Sequence, residues 1–274
     1  MTGFLSIIPI TNLSSDVDLV ELNEETRMRR ISKKELDYFL KKCNKGDPFQ
    51  YAMSHVDYVT EIMFETKEPS KIMDDITIAQ EYSDAVILAL RLLKAGNLAN
   101  VGIFTFSSAQ PLEKSAITIN WYYPVRGFIG EHYYLRENES SAFTELWQKL
   151  CTKSNIEEYL RFGIDSFTKA VMNFVWEDRL VEFIVALESI AFYGEKKSIE
   201  PAGNVIGITI GMLLGNNQKE RTSIKKTLID AYDVRNARVH GNLTKLRKHK
   251  ERFEELATKV EEYTRCTLRK FVEE

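Results

Sequence analysis

Cysteine is scarce in this sequence, and its placement excludes two common structural devices. The 274 residues include three cysteines, Cys43, Cys151 and Cys266, and no two of them form a CxxC pair. An odd and scattered set provides neither a disulfide framework nor the ligands of a structural zinc site. This cysteine usage favours a reducing compartment, so we expect a cytoplasmic protein.

Long apolar runs are also absent. The most apolar stretch, Val205 to Leu214, is about half the roughly 20 residues that a helix needs to cross a bilayer. Residues 1–16 have no basic region before their short apolar run, so the sequence predicts neither a secretory signal nor a membrane partner. The net charge of −3 argues against wholesale coating of nucleic acid but allows a local basic patch.

Signatures of several enzyme classes are missing as well. The sequence has no P-loop, no GxSxG nucleophile motif and no dinucleotide-binding fingerprint. The acidic pairs Glu24-Glu25 and Asp74-Asp75 lack the spacing of a metal site. We therefore expect no metal ion and no other cofactor.

Apolar periodicity predicts two domains, an α+β N-terminal domain over residues 1–150 and an all-α helical bundle over residues 151–274. The N-terminal domain is expected to hold four to six strands, and its role stays open. Its predicted strands are Phe4 to Ile10, Gln50 to Phe64, Val101 to Phe106 and Ala116 to Tyr123. Its predicted helices are Lys33 to Lys42, which begins with a Ser32–Glu35 capping box, and Ile78 to Ala95.

The chain becomes helical in pattern from about Ser141, and no strand pattern interrupts it. Short connections between successive helices favour antiparallel neighbours, which is typical of a bundle. The predicted helices are Ser141 to Cys151, Asn155 to Phe174, Glu177 to Phe192, Pro201 to Leu214, Lys219 to His240 and Thr244 to Val272.

Glycine recurs at every fourth position in one of these helices, at Gly203, Gly207, Gly211 and Gly215. Each glycine inside a helix costs about 1 kcal/mol relative to alanine. The close approach of another helix would offset that cost. That helix lies either inside the bundle or in a second copy of the chain, and a third alternative is that the segment is not a regular helix.

The segment around His240 brings together residue types that suit chemistry on a phosphodiester. Helical spacing places Asn236 and His240 one turn apart on the same face, with Tyr232 one turn earlier. Arg235 starts about 140° from His240 around the helix, but its long side chain can swing toward the histidine. Gly241 is a natural residue to end the helix.

Such a set suits RNA cleavage without a metal. Imidazole can take the proton from a ribose 2′-hydroxyl, which then attacks the adjacent phosphodiester. A guanidinium binds phosphate through its planar fork and offsets the charge that develops at phosphorus. Asn236 could hydrogen-bond His240 or hold the substrate. The alternative is that His240 only caps the helix among solvated neighbours.

This segment resembles the Apea-like branch of the HEPN superfamily, whose signature is an arginine, a polar residue, a few variable positions and a histidine. The match here is Arg235-Asn236-Ala237-Arg238-Val239-His240. The loop from Tyr193 to Glu200 and the glycine-spaced helix depart from the family pattern. Further blocks follow the family's order and spacing over roughly the last 120 residues: Tyr159-Leu160-Arg161-Phe162, Glu177-Asp178-Arg179-Leu180, Ala186-Leu187-Glu188-Ser189-Ile190 and Val239-His240-Gly241.

The resemblance implies an all-α HEPN-like domain with metal-independent endoribonuclease activity on RNA. It also implies a homodimer through the helical domain and a setting in stress or in defence against foreign genetic elements. Arg235 and His240 carry over as catalytic, with Asn236 and Tyr232 in support. Glu188 is either a packing or salt-bridge residue or further support for the site.

Other members of the superfamily keep the fold without catalysis, so a non-catalytic RNA- or protein-binding module is the alternative function. A regulatory protein partner is compatible with either function. A basic run beside the motif is a candidate for phosphate contacts. The alternative is a solvated helix face, because Glu251, Glu254 and Glu255 offset its charge. The RNA-binding candidates are Arg238, Lys245, Arg247 and Lys248.

Overall fold

A computed structural model describes residues 2–42, 48–66, 72–107, 118–121, 132–152, 157–194 and 200–274. The chain divides into two compact units, Met1–Thr152 and Lys153–Glu274. The first unit is built on a β-sheet and the second is helical. The predicted order, an α+β region followed by a helical region, is therefore confirmed.

The first unit contains one large sheet and one small pair of strands. Its described strands are β1 (Thr2–Thr11), β2 (Leu13–Ser15), β3 (Leu19–Glu21), β4 (Thr26–Arg30), β5 (Val56–Thr66), β6 (Ala99–Asn100), β7 (Gly102–Ser107), β8 (Thr118–Trp121) and β9 (Tyr133–Leu135). The large sheet has the order β3-β4-β5-β1-β7-β8, with β6 also pairing β1, and these pairings are antiparallel. β2 and β9 form a separate parallel pair. The prediction of four to six strands was too low, because strands of two or three residues carry no periodic signal.

Helices bury both faces of the large sheet. The helices of this unit are α1 (Lys33–Lys42), α2 (Pro48–Met53), α3 (Ile72–Leu93) and α4 (Ser140–Thr152). The first three pack on the sheet, and α4 packs mainly on α3. Ile7 of β1 packs in a core with Phe39 of α1 and Met53 of α2. Ile8, the next residue, packs in a second core with Ala79 of α3. Successive side chains of a strand point to opposite faces, and both faces are covered here, so the neighbouring Ile7 and Ile8 are both apolar and fully buried.

One local prediction in this unit is confirmed and another is wrong in part. The capping box of α1 forms as expected, since the Glu35 N–H donates to Ser32 Oγ at 3.2 Å and the Ser32 N–H donates to Glu35 Oε2 at 2.9 Å. Gln50 to Phe64 was predicted to be extended throughout. Instead α2 occupies its start and β5 begins only at Val56. Pro48 suits the first turn of a helix.

The second unit is a bundle of six described helices: α5 (Glu158–Met172), α6 (Trp176–Ala191), α7 (Ala202–Leu214), α8 (Gln218–Val239), α9 (Leu243–His249) and α10 (Phe253–Glu273). Its core holds fully buried residues from several helices, among them Phe167, Phe183, Leu228 and Leu268. The prediction of one helix from Thr244 to Val272 was wrong. A 3-10 turn at residues 250–252 separates α9 from α10, and no glycine or proline marks the break in the sequence.

The glycine-spaced helix α7 lies against α8 of the same chain. A Cβ atom on Gly207 would lie 3.0 Å from the carbonyl oxygen of Lys225, and one on Gly211 would lie 3.0 Å from that of Arg221. Both distances are tighter than ordinary van der Waals contact. Of the alternatives that the sequence left open, close approach inside the bundle is the one that this structure shows.

Gly207→Val is therefore expected to destabilise the helical unit by about 2 kcal/mol, because the added methyl groups overlap the α8 backbone. The measurement is urea unfolding of the full chain. Ile208→Val is the matched control, since it places the same residue at the next, exposed position and should change stability by no more than about 0.5 kcal/mol. Equal stability of the two variants would contradict the close packing of α7 on α8.

Candidate functional site

The predicted motif lies at the C-terminal end of α8, where the backbone makes a defined stop just after His240. Gly241 has a left-handed φ of 66°. Its N–H donates to the carbonyl of Arg238 at 3.2 Å, and the N–H of Asn242 donates to the carbonyl of Ala237 at 2.7 Å. These two bonds are the Schellman pair that closes many helices at glycine. The prediction that Gly241 ends the helix is confirmed.

His240 occupies the open end of α8. Its side chain is exposed. Its backbone N–H donates to the carbonyl of Asn236 at 3.0 Å. Within the described part of the chain, no hydrogen bond or ion pair of the imidazole is found. The ring can therefore meet a ligand from outside without first giving up a contact inside this unit.

Arg235 is anchored to α6. Its Nη2 lies 3.1 Å from Glu188 Oε2 and its Nη1 donates to Asn236 Oδ1 at 3.3 Å. Its guanidinium carbon lies 5.6 Å from the centre of the Tyr232 ring. The structure thus brings Arg235 together with three of the predicted supporting residues. No hydrogen bond between Arg235 and His240 is found among the described residues. Glu188 instead pairs with the guanidinium that was expected to swing toward the imidazole.

The Arg235–Glu188 pair is partly removed from water, with side chains 23% and 20% exposed. Burial raises the pKa of Glu188, although the neighbouring Arg235 acts in the opposite direction. The Nε of Arg235 is buried without a hydrogen-bond partner among the described residues. A buried donor without an acceptor costs about 1–3 kcal/mol. The unsatisfied donor therefore offsets part of the stabilisation that this ion pair gives to the packing of α6 on α8.

Glu188→Gln is expected to leave the helical unit at least as stable as wild type at neutral pH. Because the folded state raises the pKa of Glu188, its contribution to stability is largest at low pH and falls as the pH rises through that raised value. Glutamine does not titrate, and its amide oxygen can still accept from Arg235. Urea unfolding at about pH 4 and pH 7 should show the variant gaining on wild type toward pH 7. A loss that grows toward pH 7 would contradict this.

The basic candidates around the motif differ in whether they form an ion pair. Arg238 Nε lies 2.9 Å from Asp178 Oδ1 on α6, in an ion pair open to solvent. Lys245 and Arg247 are exposed on α9, directly after the motif. The side chain of Lys248 lies outside the described residues. Lys245, Arg247 and the partly exposed Arg238 thus provide positive charge in the segment around His240.

Two exposed apolar side chains near His240 were not predicted. Val239 is 54% exposed and Leu243 is 63% exposed, one on each side of the imidazole in sequence. An apolar residue in a helical pattern normally indicates core, so the sequence carried no signal that these two face solvent. Contiguous exposed apolar groups rimmed by polar ones are typical of interaction surfaces.

Within the described ranges, no helix combines the length and apolar character needed to cross a membrane. In the same residues, no three His, Cys, Asp or Glu side chains are grouped as ligands for a metal ion.

Comparison of the chain with protein-family models, with curated proteins and with solved structures finds no match.

Proposed function

We propose that the helical unit is a HEPN-type, metal-independent endoribonuclease, with His240 as general acid and base and Arg235 as the phosphate-binding group. The observation that carries the proposal is the exposed imidazole at the open end of α8, five residues after a half-buried guanidinium. The similarity of the motif and of its flanking blocks to the Apea-like branch supports the same assignment.

In this mechanism His240 takes the proton of a ribose 2′-hydroxyl, and the oxygen attacks the adjacent phosphorus. The 5′-oxygen of the next nucleotide leaves and takes a proton from the imidazolium. The products are a 2′,3′-cyclic phosphate and a 5′-hydroxyl. Arg235 offsets the negative charge that builds at phosphorus, as a planar guanidinium does well.

Glu188 acts here as a positioning residue for Arg235. Glu188 accepts from Nη2 of Arg235 at 3.1 Å. The other terminal nitrogen, Nη1, has only the 3.3 Å hydrogen bond to Asn236. A phosphate oxygen would compete for that weakly bound nitrogen. Tyr232 lies beside the guanidinium and limits its movement. Arg238, Lys245 and Arg247 hold the flanking phosphates, with Lys248 following them in sequence.

A homodimer would complete the site. Val239 and Leu243 flank His240 and are more than half exposed, so a second copy that covers them brings its own His240 to the same interface. A twofold contact repeats each group, which supplies both an acid and a base to one phosphodiester. A setting in stress or in defence against foreign genetic elements follows from the resemblance alone, and a cytoplasmic location follows from the cysteine usage.

The experiment is cleavage of mixed-sequence single-stranded RNA by the full chain in EDTA. Cleavage should persist in EDTA, leave 2′,3′-cyclic phosphate ends and fail on DNA of the same sequence, which has no 2′-hydroxyl. Loss of cleavage in EDTA, or cleavage of the DNA, would contradict the proposal.

The second candidate function is a non-catalytic RNA- or protein-binding module. One observation favours it: Arg235 pairs with Glu188, and no hydrogen bond joins it to His240 in the described chain. The same assay separates the two functions. RNA that is bound but stays intact, with affinity unchanged in His240→Ala, would favour the module.

A further inference from the structure

A groove runs between α7 and α8, away from the motif. We call it the α7–α8 groove. On α7 it is lined by Gly207, Ile208, Gly211 and Met212, and on α8 by Arg221 and Lys225 among others. Gly207 and Gly211 let α7 approach the α8 backbone closely, so they form the floor of the groove.

The α7 side of the groove is apolar and open to solvent. Ile208 is 47% exposed and Met212 is 58% exposed, and they lie one turn apart on the helix. Two large aliphatic side chains at this spacing match the apolar ridge of a second amphipathic helix, which repeats every three or four residues. Methionine is adaptable and common at surfaces that bind helices.

The α8 side of the groove is cationic. Arg221 uses its Nε to donate to the carbonyl of Gly215 at 3.0 Å. In the described chain no ion pair of Arg221 or Lys225 is found, and Lys219 and Lys226 are exposed on the same helix. The nearby carboxylate of Glu220 accepts hydrogen bonds from residues just before α8, namely the Asn216 N–H at 2.9 Å and the Asn217 side-chain amide at 2.8 Å.

We propose that the α7–α8 groove binds an acidic amphipathic helix of a partner protein. Its apolar residues would pack on Ile208 and Met212, and its carboxylates would face Arg221 and Lys225. A second copy of this chain fits less well, because a twofold contact here would bring the cations of both copies together. RNA also fits less well, because no lining residue is aromatic and bases bind mainly by stacking on rings.

The groove is a surface separate from the motif. Lys225 lies within α8 and His240 directly follows its last residue, fifteen residues later. At about 1.5 Å per residue this separation corresponds to roughly 22 Å. The inference therefore does not rest on the proposed nuclease activity, and each can fail alone.

The test is NMR of methionine methyl groups in the full chain, which has seven methionines. The probe is a synthetic helical peptide with leucine on one face and glutamate on the other. Its lysine-substituted counterpart and oligouridylate serve as comparison ligands. The acidic peptide should shift the Met212 signal in a saturable way. Lys225→Glu should weaken its binding by about tenfold and should let the lysine peptide bind instead.

Lys226→Glu is the matched control, because it makes the same charge change on α8 outside the groove lining. It should weaken binding of the acidic peptide much less than Lys225→Glu. The proposal is overturned if the acidic peptide leaves Met212 unshifted, or if both peptides shift it equally. A Met212 shift caused by oligouridylate or by raising the protein concentration alone would identify RNA or a second copy as the occupant and would also overturn it.

Discussion

Replacing His240 with alanine should lower the rate of RNA cleavage by at least about 100-fold, because a positioned general acid–base group typically contributes a factor of 10² to 10⁴. The side chain is exposed and makes no polar contact within the described residues, so its removal leaves no buried group unsatisfied. Stability should therefore change by no more than about 0.5 kcal/mol. Single-turnover cleavage and urea unfolding of the same preparation measure the two effects.

Arg235→Ala should cause a loss of similar size, since one electrostatic contact to a developing charge is worth about 10² to 10³ in rate. Arg235→Lys should not restore the rate, because an ammonium lacks the planar fork. Unlike the change at His240, this substitution also leaves the Glu188 carboxylate without its partner. Unfolding must therefore be measured beside cleavage for this variant.

His249→Ala is the matched control for His240→Ala. It removes a second imidazole from the same unit, nine residues later and outside the motif. Cleavage at close to the wild-type rate is expected for this variant. If His240→Ala cuts RNA as fast as His249→Ala does, the assignment of the motif as catalytic is wrong, whatever the cause of the activity.

Replacing Glu61 with alanine should destabilise the first unit by about 3 kcal/mol. The Glu61 side chain is 4% exposed on β5. One oxygen accepts from Arg27 Nε at 2.5 Å and the other from Arg29 Nε at 2.6 Å, both on the neighbouring strand β4. Arg29 also binds Glu35 of α1 through both terminal nitrogens. Loss of this carboxylate leaves the two arginines side by side on one face of β4 without the anion that they share.

Urea unfolding followed by tryptophan fluorescence in a Trp176→Phe background measures this effect, because the fully buried Trp147 then reports on the first unit. Glu65→Ala is the matched control on the same strand, and its exposed side chain should be worth no more than about 0.5 kcal/mol. A cost for Glu61→Ala as small as that of Glu65→Ala would mean that the arginines find other partners or water.

Short-range signals made part of this fold predictable. The capping box of α1 needs only residues three apart, and the stop at Gly241 needs only a glycine after a helical pattern. The break before α10 had no such signal. Its surroundings are rich in lysine, arginine and glutamate, which are good helix formers, so the local sequence favours a continuous helix.

The candidate site likewise has features that local spacing predicts and features that only the packing of the helices determines. Spacing along α8 predicted that Asn236 and Tyr232 share a face with His240, and in the structure both lie beside Arg235. The ion pair between Arg235 and Glu188 joins residues 47 positions apart, and only the packing of α6 on α8 determines it. The exposure of Val239 and Leu243 likewise depends on which faces of α8 and α9 the bundle leaves uncovered, and no local pattern encodes that.

The glycine turn after His240 determines where the imidazole can reach. A residue inserted between Asn236 and His240 would rotate the ring by about 100° around the α8 axis and advance it by about 1.5 Å. The ring would then lie on another side of the helix, although every side chain of the motif would still be present. The number of residues before this turn is therefore as much a part of the site as the residues themselves.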